Sequence, residues 1–379
     1  MLDRITEYAE CFGAPEEWAV ATIVSVSGSS PSPVGTSMAV SAGLRIIGSL
    51  SGGCVESSVA AVAQDAIADG ETRLESFGPD GTLLESQGLG VALTCGGQIE
   101  VLIQPLACLE AGMLDRLRGL AGGDPRLPAK LSRTVRPASP AGQSAAGQNG
   151  AGQNGADQSA ADQVSAGSGL VVREHRQGAP LLFLSGIHDV SVHLARYALQ
   201  AGWRVQMVDV RPAFGTADRV PEGAELTVGE PVTVLREQVL SGAPAPWTAV
   251  CVMTHHPDLD VPVLDAGLEA GGRIDLLGAM GSRRAAARRS GALRERGHSL
   301  AATASVRTPL GLDIQAATPA ETAVSMFAEL IAARNAGRCA EDGAEGRTEG
   351  RLGRPLAGQS GPVNRSRPRS LSIIAEAAV

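Results

Sequence analysis

Two cysteines stand beside glycine pairs, in Ser51-Gly52-Gly53-Cys54-Val55-Glu56 and in Thr94-Cys95-Gly96-Gly97. Glycine carries no Cβ, so backbone of this kind lets a bulky anionic group approach closely. A sulfur beside it is a soft ligand for a metal or a sulfur carrier. Cys54 to Ala68 reads as one helix-forming run, which puts Cys54 at a helix N-terminus, where anions and reactive thiolates are stabilised. A glutamate follows each motif, Glu56 and Glu100, suited to orienting a ligand or handling a proton. The competing assignment is a tight turn with a small buried cysteine. Two such motifs in one domain favour a shared site of Gly52, Gly53, Cys54, Glu56, Cys95, Gly96, Gly97 and Glu100.

Three further clusters lie in the second half. A dinucleotide site needs three glycines in the first strand-to-helix turn and an acid about 20 residues on. Here the turn is Gly186-Ile187-His188-Asp189-Val190, and Asp209, with Arg211 beyond it, ends the next strand. Only the first glycine is present, so a working NAD(P) site is doubtful. Thr254-His255-His256-Pro257-Asp258-Leu259-Asp260 follows a strand at the sheet edge where α/β ligands sit. Its two histidines and two carboxylates are of types that hold a metal or move a proton, but Asp258 or Asp260 as a helix cap is the favoured reading, with the loop lining a cleft. Gly281-Ser282-Arg283-Arg284 enters a basic helix, where N–H groups, a hydroxyl and guanidinium suit phosphate. Arg288, Arg289, Arg294 and Arg296 read as a solvated face.

The elements that position these groups fall into two domains. Residues 1–137 mix short strands (Trp18 to Val26, Ser37 to Ser41, Arg45 to Leu50, Arg73 to Phe77, Gln98 to Leu106) with helices at Cys54 to Ala68 and Leu109 to Leu120, an α+β pattern. Residues 138–169 repeat Ala-Gly-Gln and Gly-Gln-Asn-Gly units, cannot bury a core, and read as a disordered linker. Residues 170–335 alternate strand and helix, as in a Rossmann-like domain with a mostly parallel sheet. Its last helix starts at Thr318 with Pro319 at the first helical position and Glu321 completing a capping box. Residues 336–379 read as a disordered tail with a short apolar end at Leu371 to Val379.

Composition narrows the function classes. A net charge of −8 excludes nucleic-acid binding by general basicity. Six scattered cysteines without a CxxC pair suit a reducing compartment rather than a disulfide framework or structural zinc. The start lacks an apolar signal segment and no run approaches a membrane span, so a cytoplasmic protein without a membrane partner is expected.

Taken together, the motifs resemble the xanthine dehydrogenase accessory factor family (XdhC/CoxI). The match rests on Ser51-Gly52-Gly53-Cys54-Val55-Glu56, Cys95-Gly96-Gly97-Gln98-Ile99-Glu100-Val101, Val208-Asp209-Val210-Arg211, Thr254-His255, Gly281-Ser282-Arg283-Arg284, Pro309-Leu310-Gly311-Leu312-Asp313-Ile314 and Thr318-Pro319-Ala320-Glu321, in the family's order. The resemblance implies a cytoplasmic maturation factor that binds the molybdenum cofactor in its molybdopterin form, protects it during sulfuration, and delivers it to a molybdenum hydroxylase of the xanthine or carbon monoxide dehydrogenase type. Implied partners are the apo-molybdenum hydroxylase and a cysteine desulfurase, and a homodimer is expected. It makes the protein a cofactor insertion chaperone rather than a turnover enzyme. Cys54 and Cys95 would meet the molybdenum end, and Gly281, Ser282 and Arg283 the phosphate. Gly186, Asp209, Arg211, Thr254, His255, Asp260 and Asp313 mark a nucleotide site or cleft. Departures from the family pattern gather in the second domain: Ile187 and His188 in the glycine turn, His256 after Thr254-His255, and Gln315 after Asp313-Ile314. The alternatives are an NAD(P)-dependent oxidoreductase and a divergent scaffold between desulfurase and apoenzyme that holds no cofactor.

Overall fold

A computed structural model describes residues 1–30, 32–78, 97–137, 169–341 and 371–376. Its backbone divides into two units, Met1–Gln177 with Ser360–Val379, and Gly178–Gln359.

The first unit is built on a five-stranded antiparallel sheet. β1 (Trp18–Ser27), β2 (Ser37–Ser41), β3 (Ile46–Gly48), β4 (Arg73–Phe77) and β5 (Gln98–Pro105) lie in the order β3-β2-β1-β5-β4. β1 runs against β2 from Trp18↔Ser41 to Thr22↔Ser37 and against β5 from Ala19↔Pro105 to Ser27↔Gln98, with a register shift between Ile23 and Ser25. After α1 (Ala9–Gly13), the main helix α2 (Glu56–Asp69) lies on one face of this sheet. Alanine and valine at positions 59, 60, 63 and 66 give α2 a small-residue stripe that packs against Ala19, Ala21, Ile23, Met38, Val40, Val101 and Ile103. Gly70, left-handed at φ 74°, stops the helix and returns its N–H to Ala66 O. The other face meets Leu2, Ile5, Tyr8, Phe12, and Leu114 and Leu117 of α3 (Ala111–Ala121).

A second, three-stranded sheet completes this unit: β6 (Ala129–Val135), β7 (Gly169–Arg176) and β13 (Leu371–Glu376), ordered β13-β7-β6 and antiparallel. β7 therefore sits with the first unit, although the sequence pattern assigns residues from 170 onward to the second domain. The proposed linker falls mainly on residues outside those described. Two segments read as tail belong to elements instead: the last helix continues to Glu341, and Leu371–Glu376 pairs with β7. β6 alternates inward and outward, so Arg133 faces inward with Ala129, Leu131 and Val135. Arg133 is held there by an ion pair with Glu174 of β7 and by donating Nε–H to Gln104 Oε1 at 3.0 Å. Burial works against the Glu174 charge, but the N-terminal ammonium and Arg133 outweigh it and pull its pKa down to about 2.

The second unit is a parallel sheet with helices on both faces, as alternating elements predict. β8 (Leu181–Ser185), β9 (Arg204–Asp209), β10 (Glu225–Val228), β11 (Thr248–Val252) and β12 (Leu276–Ala279) take the order β10-β9-β8-β11-β12, every pairing parallel. β8 and β11 are buried at every residue, which explains why they read as unbroken apolar runs rather than alternating ones. On one face α4 (Asp189–Gln200) packs Leu194, Ala195 and Ala198 with Trp203, Trp247, Met326 and Leu330. Short α5 (Pro231–Val234), α6 (Pro257–Glu269) and α7 (Arg283–Glu295) cover the other, through Val234, Val261, Leu264 and Leu293. α8 (Leu300–Ser305) and α9 (Pro319–Glu341) follow, and the expected capping box is present: Thr318 N–H donates to Glu321 Oε2 at 2.9 Å and Glu321 N–H to Thr318 Oγ1 at 3.2 Å. Among the described residues no helix is long and apolar enough to cross a membrane.

Candidate functional site

Cys54 does not open a helix. α2 begins at Glu56 with Val55 as its N-cap, so Cys54 lies in the turn between β3 and α2. Glu56 is the cause, because its carboxylate reaches back and gathers that turn. Oε1 accepts from Ser49 Oγ at 2.5 Å and from the N–H groups of Leu50 (3.0 Å), Ser51 (2.7 Å) and Gly52 (3.0 Å). Oε2 accepts from Ser51 Oγ at 2.6 Å and from the N–H groups of Gly53 (2.8 Å) and Val55 (3.2 Å). Ser51 Oγ in turn accepts from Cys54 N–H at 2.9 Å and Val55 N–H at 3.0 Å. Every main-chain N–H from Leu50 to Val55 is thus committed inside the loop. Burial alone would raise the Glu56 pKa, but hydrogen bonds from Ser49, Ser51 and the main chain win and lower it to about 2.

The two glycines do different work from their donors. Gly52 (φ 78°) and Gly53 (φ 120°) are in conformations that L side chains rarely adopt, and nothing lies within 4 Å of where a Cβ would stand. Their N–H groups are spent while their Cα faces are open, beside a half-buried Cys54. Gly97 differs: a Cβ there would lie 2.0 Å from Ser29 O, so its bare backbone is taken up by the chain itself. Glu100 is buried on β5, opposite Ser25 and Ser76. Cys95 and Gly96 lie outside the described residues, among which no group of three or more His, Cys, Asp or Glu is placed to hold a metal ion.

In the second unit, most of the other sequence candidates meet at the carboxyl edge of the parallel sheet. Gly186 (φ 111°) follows β8, and a Cβ on it would stand 2.4 Å from Thr254 Cγ2, so the glycine lets two strand ends close on each other. Asp209 at the end of β9 accepts from Ile187 N–H at 2.8 Å and takes Arg211 as a bidentate partner, Nε–H to Oδ1 at 2.9 Å and Nη2–H to Oδ2 at 2.8 Å. Burial opposes the Asp209 charge, and the Arg211 and main-chain hydrogen bonds overcome it and hold the carboxyl below its usual range. The Arg211 guanidinium also stacks 3.8 Å from the Phe214 ring centroid.

At the turn after β8, two main-chain N–H groups are bonded to side chains of the turn itself. His188 caps α4, its Nδ1 accepting from Val190 N–H at 3.3 Å, while His188 N–H donates to Ser191 Oγ at 2.8 Å. His188 Nε2 lies 2.8 Å from Met253 O, which fixes Nε2 as the protonated nitrogen and Nδ1 as the acceptor. Burial holds the His188 pKa below its ordinary value, in keeping with that neutral form.

Arg289 corrects the reading of α7 as a uniformly solvated basic face. It is 5 % exposed and pairs with Asp260, itself 1 % exposed, by Nε–H at 3.0 Å and Nη2–H at 2.6 Å to Oδ2. Nη1–H also donates to Met280 O at 2.8 Å and Nη2–H to Thr254 O at 3.0 Å, while Thr254 Oγ1 donates to Asp260 Oδ1. Asp260 is therefore a clamp between two loops rather than a helix cap. Gly281 (φ 135°) lies beneath this clamp: a Cβ on it would be 3.2 Å from Arg289 Nη1 and 3.6 Å from His255 Nδ1. Ser282 caps α7 by accepting from Ala285 N–H at 3.2 Å, and Arg283, Arg284 and His255 are exposed. Asp313 is exposed on the segment before α9. The sequence reading missed Arg289, although its i, i+4 spacing from Leu293 placed both on one helix face.

Comparison with known proteins covers both units. A model described as the XdhC Rossmann domain matches residues 182–330, and one described as the XdhC and CoxI family matches residues 11–78. A probable xanthine dehydrogenase subunit of Bacillus subtilis (strain 168) is 32 % identical over 156 residues, spanning 41 % of this chain and 43 % of that protein, less than half its length. The molybdenum cofactor insertion chaperone PaoD of Escherichia coli (strain K12) is 25 % identical over 315 residues, 83 % of this chain and 82 % of that one. A crystal structure described as a xanthine dehydrogenase from Bacillus halodurans shares the fold, with a TM-score of 0.64 and 20 % identity over 88 % of this chain and 96 % of the other. With the glycine–cysteine loop in the first unit and the parallel sheet in the second, the chain belongs to the XdhC and CoxI family.

Proposed function

We propose that this chain is a molybdenum cofactor-binding maturation factor, which holds and protects the cofactor, supports its sulfuration and delivers it to a molybdenum hydroxylase of the xanthine or carbon monoxide dehydrogenase type. The observation that carries the reading is the half-buried Cys54 beside the open Gly52 and Gly53 faces, on a loop fixed by Glu56. Relatives described as a molybdenum cofactor insertion chaperone and a probable xanthine dehydrogenase subunit support the molybdoenzyme side of it.

The residues fit one end of the group. When bound, the cofactor supplies a thiophilic molybdenum centre carried by a pterin dithiolene, and a thiol next to Cβ-free backbone suits such a centre. This loop has no N–H left for an oxyanion, so phosphate recognition falls to other residues. Within the second unit, the Ser282 hydroxyl and the exposed Arg283 beside Gly281 are a donor set suited to an anionic group bound there. The apo-hydroxylase and a cysteine desulfurase are the proposed partners, in the cytoplasm, with the chain acting as a homodimer. Dinucleotide redox chemistry is disfavoured, since the His188 cap and the Asp209–Arg211 pair occupy the groups such a ligand needs.

Delivery is testable by incubating the pterin-loaded chain with an apo-molybdenum hydroxylase. A gain of hydroxylase activity beyond that given by free cofactor is expected. A loaded chain that keeps its pterin, or gives it up with no gain over free cofactor, overturns the delivery role.

A further inference from the structure

We propose that Glu56 is a positioning residue for Cys54: its carboxylate fills the donor ring of residues 49–55 and closes that ring to external oxyanions. The proposal rests on the reading of Cys54 as a cofactor contact, and of the two roles the sequence suggested for Glu56, orienting a ligand or handling a proton, it develops the orienting one.

Five main-chain N–H groups and two hydroxyls converge on the two oxygens of Glu56. A carboxylate offers about four lone-pair sites, so this one has no acceptor capacity left for a ligand proton. Consecutive N–H groups turned toward one point form a concavity that binds anions, and positive φ at Gly52 and Gly53 is what turns them. In most such concavities the anion arrives from solution; here the chain supplies it. Ser51 Oγ passes the constraint on, donating to Glu56 Oε2 and accepting from the N–H of Cys54. The thiol is thereby placed by Glu56 through Ser51. With its donors spent, the loop discriminates against oxyanions and leaves Cys54 to the soft end of a ligand.

The test uses the full chain freed of pterin and reads the alkylation rate of Cys54 by iodoacetamide, followed by peptide mass spectrometry to separate it from the exposed Cys108. In the parent, formate, phosphate and sulfate leave the rate unchanged. In Glu56→Ala the ring is vacant, the rate changes about tenfold, as loss of a charged hydrogen-bond acceptor allows, and formate restores it. In Ser51→Ala the rate changes by a smaller factor and formate does nothing, because Glu56 still fills the ring. A parental rate in Glu56→Ala, a changed rate that formate does not move, or protection of the parent by phosphate overturns the proposal. Should Glu56→Ala fail to fold, a parental rate in Ser51→Ala overturns it. Because alkylation is read without pterin, the outcome is independent of whether Cys54→Ala retains cofactor, which tests the underlying reading separately.

Discussion

Arg289→Met is the substitution whose cost follows most directly from the structure. The methionine keeps the volume of the stem but removes four donated hydrogen bonds, two to Asp260 Oδ2 and one each to Met280 O and Thr254 O. Asp260, 1 % exposed, is left with Thr254 Oγ1 and no cation. Removing one partner of a buried pair costs about 3–5 kcal/mol, because the remaining charge is neither solvated nor paired. For a domain of this size each kcal/mol lowers Tm by about 2–4 °C, giving a fall of about 6–20 °C. Trp203 and Trp247 lie in the core of the second unit, so in a Trp18→Phe background their fluorescence follows that unit alone. The paired variant Asp260→Leu/Arg289→Met removes both charges and should recover most of the loss, since apolar replacement of a buried pair is often neutral. A single-variant loss below about 1 kcal/mol, in the range of an exposed ion pair, or strict additivity in the double variant, refutes the assignment of Arg289 to a buried clamp.

Glycine substitutions should separate close packing from open approach. Gly97→Ala puts a Cβ 2.0 Å from Ser29 O and is expected to abolish folding of the first unit, whereas Gly53→Ala meets nothing within 4 Å and costs about 1–3 kcal/mol of positive-φ strain while weakening pterin retention; circular dichroism and pterin content distinguish the two. Reduced nicotinamide dinucleotides should leave the melting of the second unit unmoved, because His188 and Ser191 already cap α4; a shift of several degrees at millimolar ligand would contradict the self-capped turn. Acid should weaken the first unit through Glu56 and Glu174, whose pKa values fall from 4.5 to about 2. Both are lower when folded, so their contribution is complete above about pH 4.5 and drains away toward pH 2. Glu174→Gln should reduce the urea-measured slope in that window by up to about 1.4 kcal/mol per pH unit, one proton's share.

Much of this architecture is legible in the chain because local and global signals agree. Trp18–Ser27 and Leu181–Ser185 are β-branched or apolar runs bounded by turns, and Thr318, Pro319 and Glu321 announce their helix. β6 and β7 were missed because their pairing spans a long insertion, and because Arg133 and Glu174 look like surface charges until each is seen to neutralise the other. The way Glu56 gathers its loop was illegible for a different reason. Its bonds run back over the preceding seven residues, which follows neither the helical nor the strand period, so no pattern marks it as the loop's organiser. Arg289 sits in a run of arginines whose charge suggests solvent; its spacing from Leu293 marks the inward face, and the tertiary position of Asp260 supplies the partner that lets a cation lie there.

Pterin and molybdenum content of the chain, purified anaerobically from a host that makes the cofactor, tests the Cys54 site directly. Near-stoichiometric pterin in the parent, lost in Cys54→Ala and Cys95→Ala while both variants keep the parental melting profile, is the expected result. A folded parent without pterin, or a Cys54→Ala variant that retains it undiminished, contradicts cofactor binding at this loop.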